Sequence, residues 1–280
     1  MKFMTKQTGV RCAGFILALA LAAYSGATFM STSVAQTQPA AAPDYEYLVG
    51  ATLWTQTSAE FRALAYQSFN YARLLFDRDL RTKRRSKMKR AVVVDVDDTV
   101  MDNSPYEASL VLTRKSFTAA DFSGWCERRV AKAVPGSVEF LKYVHSRGAR
   151  VFYVTNRKAE DRQCTAENLK QLGFPDVGDD TLLLRADTSS KEPRRQLIAK
   201  KHRIVLLIGD NLNDLAQVFE KKSIVDRSSE VDRIRDQFGS NFIVIPNAMY
   251  GEWENAVYEF NSQLTDAEKA VKRRSTLKGY

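Results

Sequence analysis

Five short apolar runs constrain the fold of this 280-residue chain more than any other feature. They cover residues 91–96, 150–155, 181–184, 204–208 and 242–246. A continuous apolar run is typical of a strand that is buried on both faces, as in parallel sheets. Helix-like stretches separate most of the runs, and such alternation implies right-handed βαβ units. We therefore predict an α/β fold with a Rossmann-like parallel sheet flanked by helices.

The segments on either side of this pattern are also predicted to be helical. Between residues 54 and 80, apolar residues recur every three to four positions, which is the period of an amphipathic helix. The last thirty residues return to a helical pattern and end in a charged tail. We expect one domain over 51–280, in which stretches near 53–88 and 249–275 supply a small helical cap.

The first 35 residues have the organisation of a secretory signal peptide. Three basic residues precede an apolar stretch, and a small-x-small tripeptide ending at Ala35 offers a cleavage site. Cys12 precedes the apolar stretch, so lipid attachment is not expected. We predict a signal peptide at 1–35, a linker at 36–50, and a periplasmic or secreted protein without a stable membrane anchor. An uncleaved anchor is the alternative, because the weakly apolar stretch continues to Met30.

The formal net charge is +9, and much of the excess lies in two basic stretches, 81–90 and 269–278. Charge runs are usually solvated. No zinc-finger, helix-turn-helix or RNA-binding signature accompanies them, so we expect no nucleic-acid polymer as a partner. A positive field also attracts small anionic substrates.

Two cysteines follow the leader, Cys126 and Cys164. No Cys/His spacing typical of a metal site surrounds them. They would pair in an oxidising compartment if the fold brought them together, or remain buried free thiols. The sequence leaves both alternatives open.

Polar residues stand where the predicted strands end, and the ligands of open parallel sheets bind outside those carboxyl ends. The first strand ends in Asp95 and Asp97, two carboxylates that are costly to bury unless a cation or hydrogen bonds meet them. Magnesium prefers oxygen ligands and few protein carboxylates. For Asp97, a helix N-cap is the plain structural alternative.

The other strand ends supply groups that suit a phosphoryl group. The second predicted strand ends in Thr155 and Asn156, which offer a hydroxyl and adjacent amides. Lys191 lies in the loop after the third strand, where a cation would offset phosphate charge. Asp210 and Asp214 follow the fourth strand behind a glycine that permits a tight turn.

In this order, the four strand ends resemble the four motifs of the haloacid dehalogenase superfamily: Asp-x-Asp-x-Thr, Thr, Lys and Gly-Asp-x-x-x-Asp. Further segments within about 52–253 are similar to the class C nonspecific acid phosphatases. They are SAEFRALAYQSFN at 58–70, DVDDTVMDNSPY at 95–106, Pro135-Gly136, VFYVTNRK at 151–158, GDNLND at 209–214 and PNAMYGEW at 246–253. The resemblance implies a magnesium-dependent acid phosphatase that hydrolyses phosphate monoesters, including nucleoside 5′-monophosphates, through an aspartyl-phosphate intermediate.

Carried over by position, the resemblance implies one Mg²⁺ per active site and a role for each acid. Asp95 is the nucleophile and a metal ligand. Asp97 is the general acid and then the general base, and its main-chain carbonyl also binds the metal. Asp210 completes the protein ligands, and Asp214 supports Lys191 or the metal's water shell.

The resemblance also implies which residues bind the substrate. Thr155 binds the phosphoryl group together with Asn156, and Lys191 stabilises both the nucleophile and the transferring phosphate. Tyr250, just beyond the last strand, is expected to stack on the substrate's base, with packing of the C-terminal helix as the alternative.

One part of the expected aromatic clamp departs from the family pattern. The region just before Pro135 holds a single tryptophan, Trp125, where an additional aromatic residue is expected, and Phe122 is the candidate to take that place. The resemblance also suggests a homodimer.

Two other functions fit the same residues. A phosphotransferase would pass the aspartyl phosphate to an alcohol instead of water. A catalytically inactive periplasmic or surface binding protein would keep only the fold, but every catalytic position holds the required residue type. The only histidines, His145 and His202, lie in helix-like stretches, which disfavours phosphatases with a histidine nucleophile.

Overall fold

The five predicted apolar runs form one parallel sheet, which confirms the predicted α/β fold. The computed structural model describes residues 45–82 and 88–280, so the predicted signal peptide and most of the linker lie outside the described residues. The strands are β1 (Lys89–Val94), β2 (Met101–Asp102), β3 (Lys132–Ala133), β4 (Arg150–Val154), β5 (Leu182–Leu183), β6 (His202–Gly209) and β7 (Phe242–Val244). The sheet order is β5-β4-β1-β6-β7, and the short strands β2 and β3 pair antiparallel in a separate sheet.

Helices connect and cover these strands. They are α1 (Glu46–Thr57), α2 (Ala59–Arg81), α3 (Ser104–Thr113), α4 (Ala119–Arg128), α5 (Ser137–Ser146), α6 (Arg162–Gln171), α7 (Glu192–Lys201), α8 (Leu212–Leu215), α9 (Ile224–Arg233), α10 (Glu252–Val257) and α11 (Asp266–Thr276). Within the described residues, none of the helices is both long and apolar enough to cross a bilayer.

The helical pattern of residues 54–80 is interrupted once, at Ser58. The Ser58 hydroxyl accepts a hydrogen bond from the amide of Phe61 at 3.0 Å, which is the contact expected of an N-cap. Ser58 itself has extended backbone angles, so α1 ends and α2 begins at this residue.

The strand at the centre of the sheet, β1, is buried on both faces because its side chains alternate between two cores. Val92 and Val94 belong to a large cluster that includes Phe76 from α2, whereas Val93 joins a smaller cluster with Ile198 from α7. The helix α2 is therefore a layer packed on the sheet, and its part in a cap stays a prediction. The apolar face of α2 is buried against the sheet. The helical period of the sequence did not show which surface this face covers. The helix α1 instead contacts α3.

A disulfide joins the two cysteines whose pairing the sequence left open. Cys126 lies in the last turn of α4 and Cys164 in the first turn of α6, and their Cα atoms are 5.6 Å apart. Both residues are buried. The bond therefore links two helices that follow different strands.

Candidate active site

The carboxyl edge of the sheet gathers the predicted catalytic side chains, since parallel strands all end at the same edge. Asp95 directly follows β1, Thr155 follows β4, and Asp210 follows β6. Lys191 stands immediately before α7, and Asp214 lies in α8. Four separate segments of the chain thus meet at one place.

Lys191 is the central cation of this site. Its ammonium group contacts Oδ1 of Asp95 and lies 2.6 Å from Oδ1 of Asp214. All three side chains are at least 90 % buried. Although burial lowers the pKa of Lys191, the charges of Asp214 and Asp95 outweigh that effect and raise it. The lysine therefore stays charged and tethers both carboxylates.

The carboxylates themselves fit a divalent cation. Asp95, Asp210 and Asp214 each place an oxygen within 4.8 Å of the others. Burial raises the pKa of Asp95 well above its usual value, and the neighbouring carboxylates of Asp214 and Asp210 add to the shift, which Lys191 only partly opposes. Burial and the same kind of repulsion raise the pKa of Asp210 to about 7. Three closely spaced acids, of which Asp95 and Asp214 are buried and Asp210 is half-buried, thus leave negative charge beside one lysine for which a metal ion would compensate.

Polar contacts hold Asp210 in place. Its two carboxylate oxygens accept hydrogen bonds of 2.9 Å each from the Thr99 hydroxyl and the Asn247 amide. The residue before it, Gly209, has no room for a side chain, because a Cβ atom there would lie 2.4 Å from Cβ of Asp214. A glycine is therefore required where β6 passes behind the acidic cluster.

Asp97 is held in a separate cluster, next to the first. The Arg157 guanidinium donates to its carboxylate from Nε at 3.0 Å and from Nη2 at 2.8 Å. The Asn103 amide donates to the same carboxylate at 2.7 Å. Burial raises the pKa of the Asp97 carboxyl, but the charge and hydrogen bonds of Arg157 outweigh it and hold the pKa below its usual value.

Thr155 and Asn156 take different positions at the end of β4. The buried Thr155 hydroxyl lies 3.2 Å from Oδ2 of Asp97, so it faces the Asp97 cluster. The Asn156 side chain is exposed, and its Oδ1 accepts a hydrogen bond of 2.7 Å from Arg194. Its amide nitrogen is the polar atom of this side chain that suits an incoming phosphate.

Two of the predicted substrate-binding aromatics lie on α4, against the Asp97 cluster. The indole nitrogen of Trp125 donates to Oδ1 of Asn103 at 2.9 Å. The ring of Phe122 lies 5.2 Å from the guanidinium carbon of Arg157. Both residues therefore contact the groups that hold Asp97.

The third predicted aromatic, Tyr250, is tied to the loop after β1. Its hydroxyl donates a hydrogen bond to Oδ2 of Asp98. Burial raises the pKa of the Tyr250 phenol well above its usual value, and the charge of Asp98 raises it further, so the hydroxyl keeps its proton. Asp98 has a left-handed backbone (φ 52°) and is buried. As a whole residue, Tyr250 is half-buried.

Several residues that complete the site were given no function of their own in the sequence interpretation, although Thr99 is part of the first motif. They are Asp98, Thr99, Asn103, Arg157 and Asn247. All five lie inside the segments that carry the family resemblance, and that position is the one signal that marks them. Their partners lie between 6 and 152 residues away, so local pattern could not assign their contacts.

Comparisons with known proteins agree with this geometry. The family model described as HAD superfamily, subfamily IIIB (acid phosphatase), matches residues 19–253. Acid phosphatase 1 of Solanum lycopersicum is 32% identical over 129 residues, which are 44% of this chain and 51% of that protein. That match therefore spans about half the length of the tomato protein. The class B acid phosphatase of Marinomonas sp. (strain MWYL1) is 25% identical over 185 residues, which are 62% of this chain and 74% of that protein.

The similarity to solved structures covers more of the chain. The class C acid phosphatase from Bacillus anthracis is 40% identical, with a TM-score of 0.81 over 84% of this chain and 98% of that chain. A structure of the class C acid phosphatase from that organism with tungstate bound gives 39% identity and a TM-score of 0.80. Because the family model matches well over half of its residues, this chain belongs to the acid phosphatases of HAD subfamily IIIB, which are phosphoric monoester hydrolases.

Proposed function

We propose that this protein is a nonspecific acid phosphatase of the class C type, which hydrolyses phosphate monoesters through an aspartyl phosphate on Asp95. The observation that carries the proposal is the contact of Lys191 with both Asp95 and Asp214 beside Asp210. The similar Bacillus anthracis structure was obtained with tungstate bound, and tungstate is a tetrahedral oxyanion like phosphate, which supports a phosphate-binding function.

We assign the cation to magnesium. Asp95, Asp210 and the main-chain carbonyl of Asp97 would hold it, with Asp214 in support, because hard oxygen ligands suit this ion. When bound, magnesium stabilises the negative charge that builds on the transferring phosphoryl oxygens.

The chain's own residues carry the two transfer steps. A carboxylate oxygen of Asp95 attacks phosphorus, and the bond from phosphorus to the leaving oxygen breaks as Asp97 donates a proton to that oxygen. Asp97 then accepts a proton from water, whose oxygen attacks phosphorus, frees Asp95 and releases inorganic phosphate. Thr155 and Asn156 bind the phosphoryl oxygens, and Lys191 neutralises charge throughout.

Chelation tests the metal assignment. A phosphate-release screen on nucleotides, sugar phosphates and aryl phosphates should show activity that falls by about 100-fold or more in excess EDTA and returns with added Mg²⁺. Full activity in excess chelator would contradict it. Methanol added to the same screen distinguishes a phosphotransferase, which would yield methyl phosphate in place of part of the inorganic phosphate. An inactive binding protein would release no phosphate from any substrate.

Nucleoside 5′-monophosphates are the proposed substrate class, with the ring of the half-buried Tyr250 stacking on the base. Base stacking contributes about 1–3 kcal/mol in nucleic-acid binders and tolerates every base. Tyr250→Ala should therefore lower kcat/KM for AMP by roughly 5- to 100-fold, while barely changing that for glycerol phosphate.

A matched control variant distinguishes the contribution of the Tyr250 hydroxyl from that of its ring. Tyr250→Phe removes the hydrogen bond to Asp98 but keeps the ring, so it should retain most activity on AMP. An equal loss on AMP and glycerol phosphate in Tyr250→Ala, together with a lower Tm, would mean that Tyr250 only packs.

Export to the periplasm or the medium is proposed from the leader sequence and the disulfide, which is typical of oxidising compartments. The exported protein should begin at Gln36. N-terminal sequencing tests this, and a mature protein that still carries the leader would contradict it. The homodimer suggested by the resemblance stays a prediction that sedimentation can check.

A further inference from the structure

Every nitrogen of the Arg157 guanidinium is engaged. Nε and Nη2 donate to Asp97, as described above, while Nη1 donates to Sγ of Cys126 at 3.2 Å and to the Thr165 hydroxyl at 3.0 Å. Only 2% of the side chain is exposed. The guanidinium therefore bridges two groups. On one side is the Asp97 carboxylate, and on the other is a pair of acceptors, the disulfide sulfur of Cys126 and the Thr165 hydroxyl.

These two acceptors of Nη1 lie on two helices that the disulfide joins. Cys126 is on α4, whereas Cys164 and Thr165 are consecutive residues on α6. The bond between the sulfurs keeps the two acceptors of Nη1 side by side. Without that bond, non-covalent contacts alone would hold α4 and α6 together, among them packing and the ion pair of Arg129, at the end of α4, with Glu167 of α6. The two acceptors could then separate.

Because the guanidinium is planar, the two acceptors of Nη1 also affect how Arg157 holds Asp97. Its donors form a rigid fork, so a rotation that changes the direction of Nη1 also changes the directions of Nε and Nη2. Those two nitrogens set the orientation of the Asp97 carboxylate. Proton transfer requires the carboxyl group within hydrogen-bond reach of the leaving oxygen, and a misplacement of about 1 Å can cost about 100-fold in rate.

We propose that the Cys126–Cys164 disulfide is a positioning element of the phosphatase reaction, which acts through the Arg157 guanidinium on the Asp97 carboxylate. The proposal rests on the function of Asp97 as proton donor proposed above. The disulfide thereby does more than stabilise the fold, since it also determines the direction in which the proton donor points.

Two substrates with different leaving groups distinguish a disulfide that positions Asp97 from one that only stabilises the fold. A p-nitrophenolate leaves without much help from an acid, whereas an alkoxide needs the proton from Asp97. The double variant Cys126→Ser/Cys164→Ser should therefore lose about 10-fold more kcat/KM on methyl phosphate than on p-nitrophenyl phosphate. Arg157→Lys, which replaces the planar fork with a point charge, should shift this ratio in the same direction.

A second variant keeps the disulfide intact. Thr165→Val has nearly the same shape but removes one acceptor of Nη1, so it should shift the ratio in the same direction by a smaller factor, about 3-fold. This variant decides the matter if the double serine variant fails to fold.

The control lies at the opposite edge of the sheet. Asp79 binds Arg90 and Arg203 near the amino ends of β1 and β6, at 2.7 and 2.5 Å. Asp79→Asn should lower the Tm and leave the substrate ratio unchanged.

Asp97→Asn, measured on the same two substrates, separates failure of this inference from failure of the proposed function. If Asp97→Asn shifts the ratio but the double serine, Arg157→Lys and Thr165→Val variants do not, the disulfide is a staple only and the inference is overturned. If Asp97→Asn itself leaves the ratio unchanged, the proton-donor role fails, and the inference fails with it.

Discussion

Asp95→Asn should reduce turnover by about 10⁴-fold or more, because an amide cannot form the acyl phosphate on which both steps depend. The fold should tolerate the change. It removes one of three mutually repelling carboxylates, and Lys191 keeps its contact with Asp214. We therefore expect the Tm of the metal-free variant to remain within a few degrees of the wild type.

The measurement is phosphate release from p-nitrophenyl phosphate, together with a melting curve. Asp79→Asn is the matched control, since it also replaces an ion-paired aspartate with its amide but lies at the opposite edge of the sheet. It should lose stability and keep its turnover. Residual activity of Asp95→Asn within 10-fold of the wild type would refute a nucleophilic role for this residue.

Asp97→Asn should reduce kcat for alkyl phosphates by about 10²- to 10⁴-fold, which is the usual contribution of a general acid or base. The loss on p-nitrophenyl phosphate should be smaller, because that leaving group needs no proton in the first step. The second step still requires a base, so part of the loss should remain on both substrates. Equal losses on the two substrates would remove the general-acid assignment.

The ion pair with Arg157 opposes an acid role of Asp97 only while the site is free of substrate. It lowers the pKa of Asp97 and favours the carboxylate, which is the form that the water-activating step requires. A bound phosphate monoester brings negative charge next to Asp97, and a neighbouring like charge raises the proton affinity of a carboxylate. Substrate binding thus favours the protonated form at the moment when the leaving oxygen needs a proton.

The sequence by itself determined the sheet and the location of the catalytic edge. Apolar runs predict strands because a buried parallel strand must be apolar on both faces, and this property is local. Asp95, Thr155 and Asp210 each stand at the carboxyl end of a strand formed by such a run, so their meeting follows from the rule that parallel strands end at one edge. Lys191 and Asp214 are close enough to strand ends for the same argument to place them.

Only the tertiary structure decided which groups hold these residues. Arg157 meets Asp97 across 60 residues, Cys126 pairs with Cys164 across 38, and Tyr250 reaches Asp98 across 152. The same holds for α2, whose period predicted a helix but did not reveal that it covers the sheet. Such contacts depend on how helices from distant parts of the chain pack against one another, whereas periodicity and motif spacing report only on neighbours in sequence.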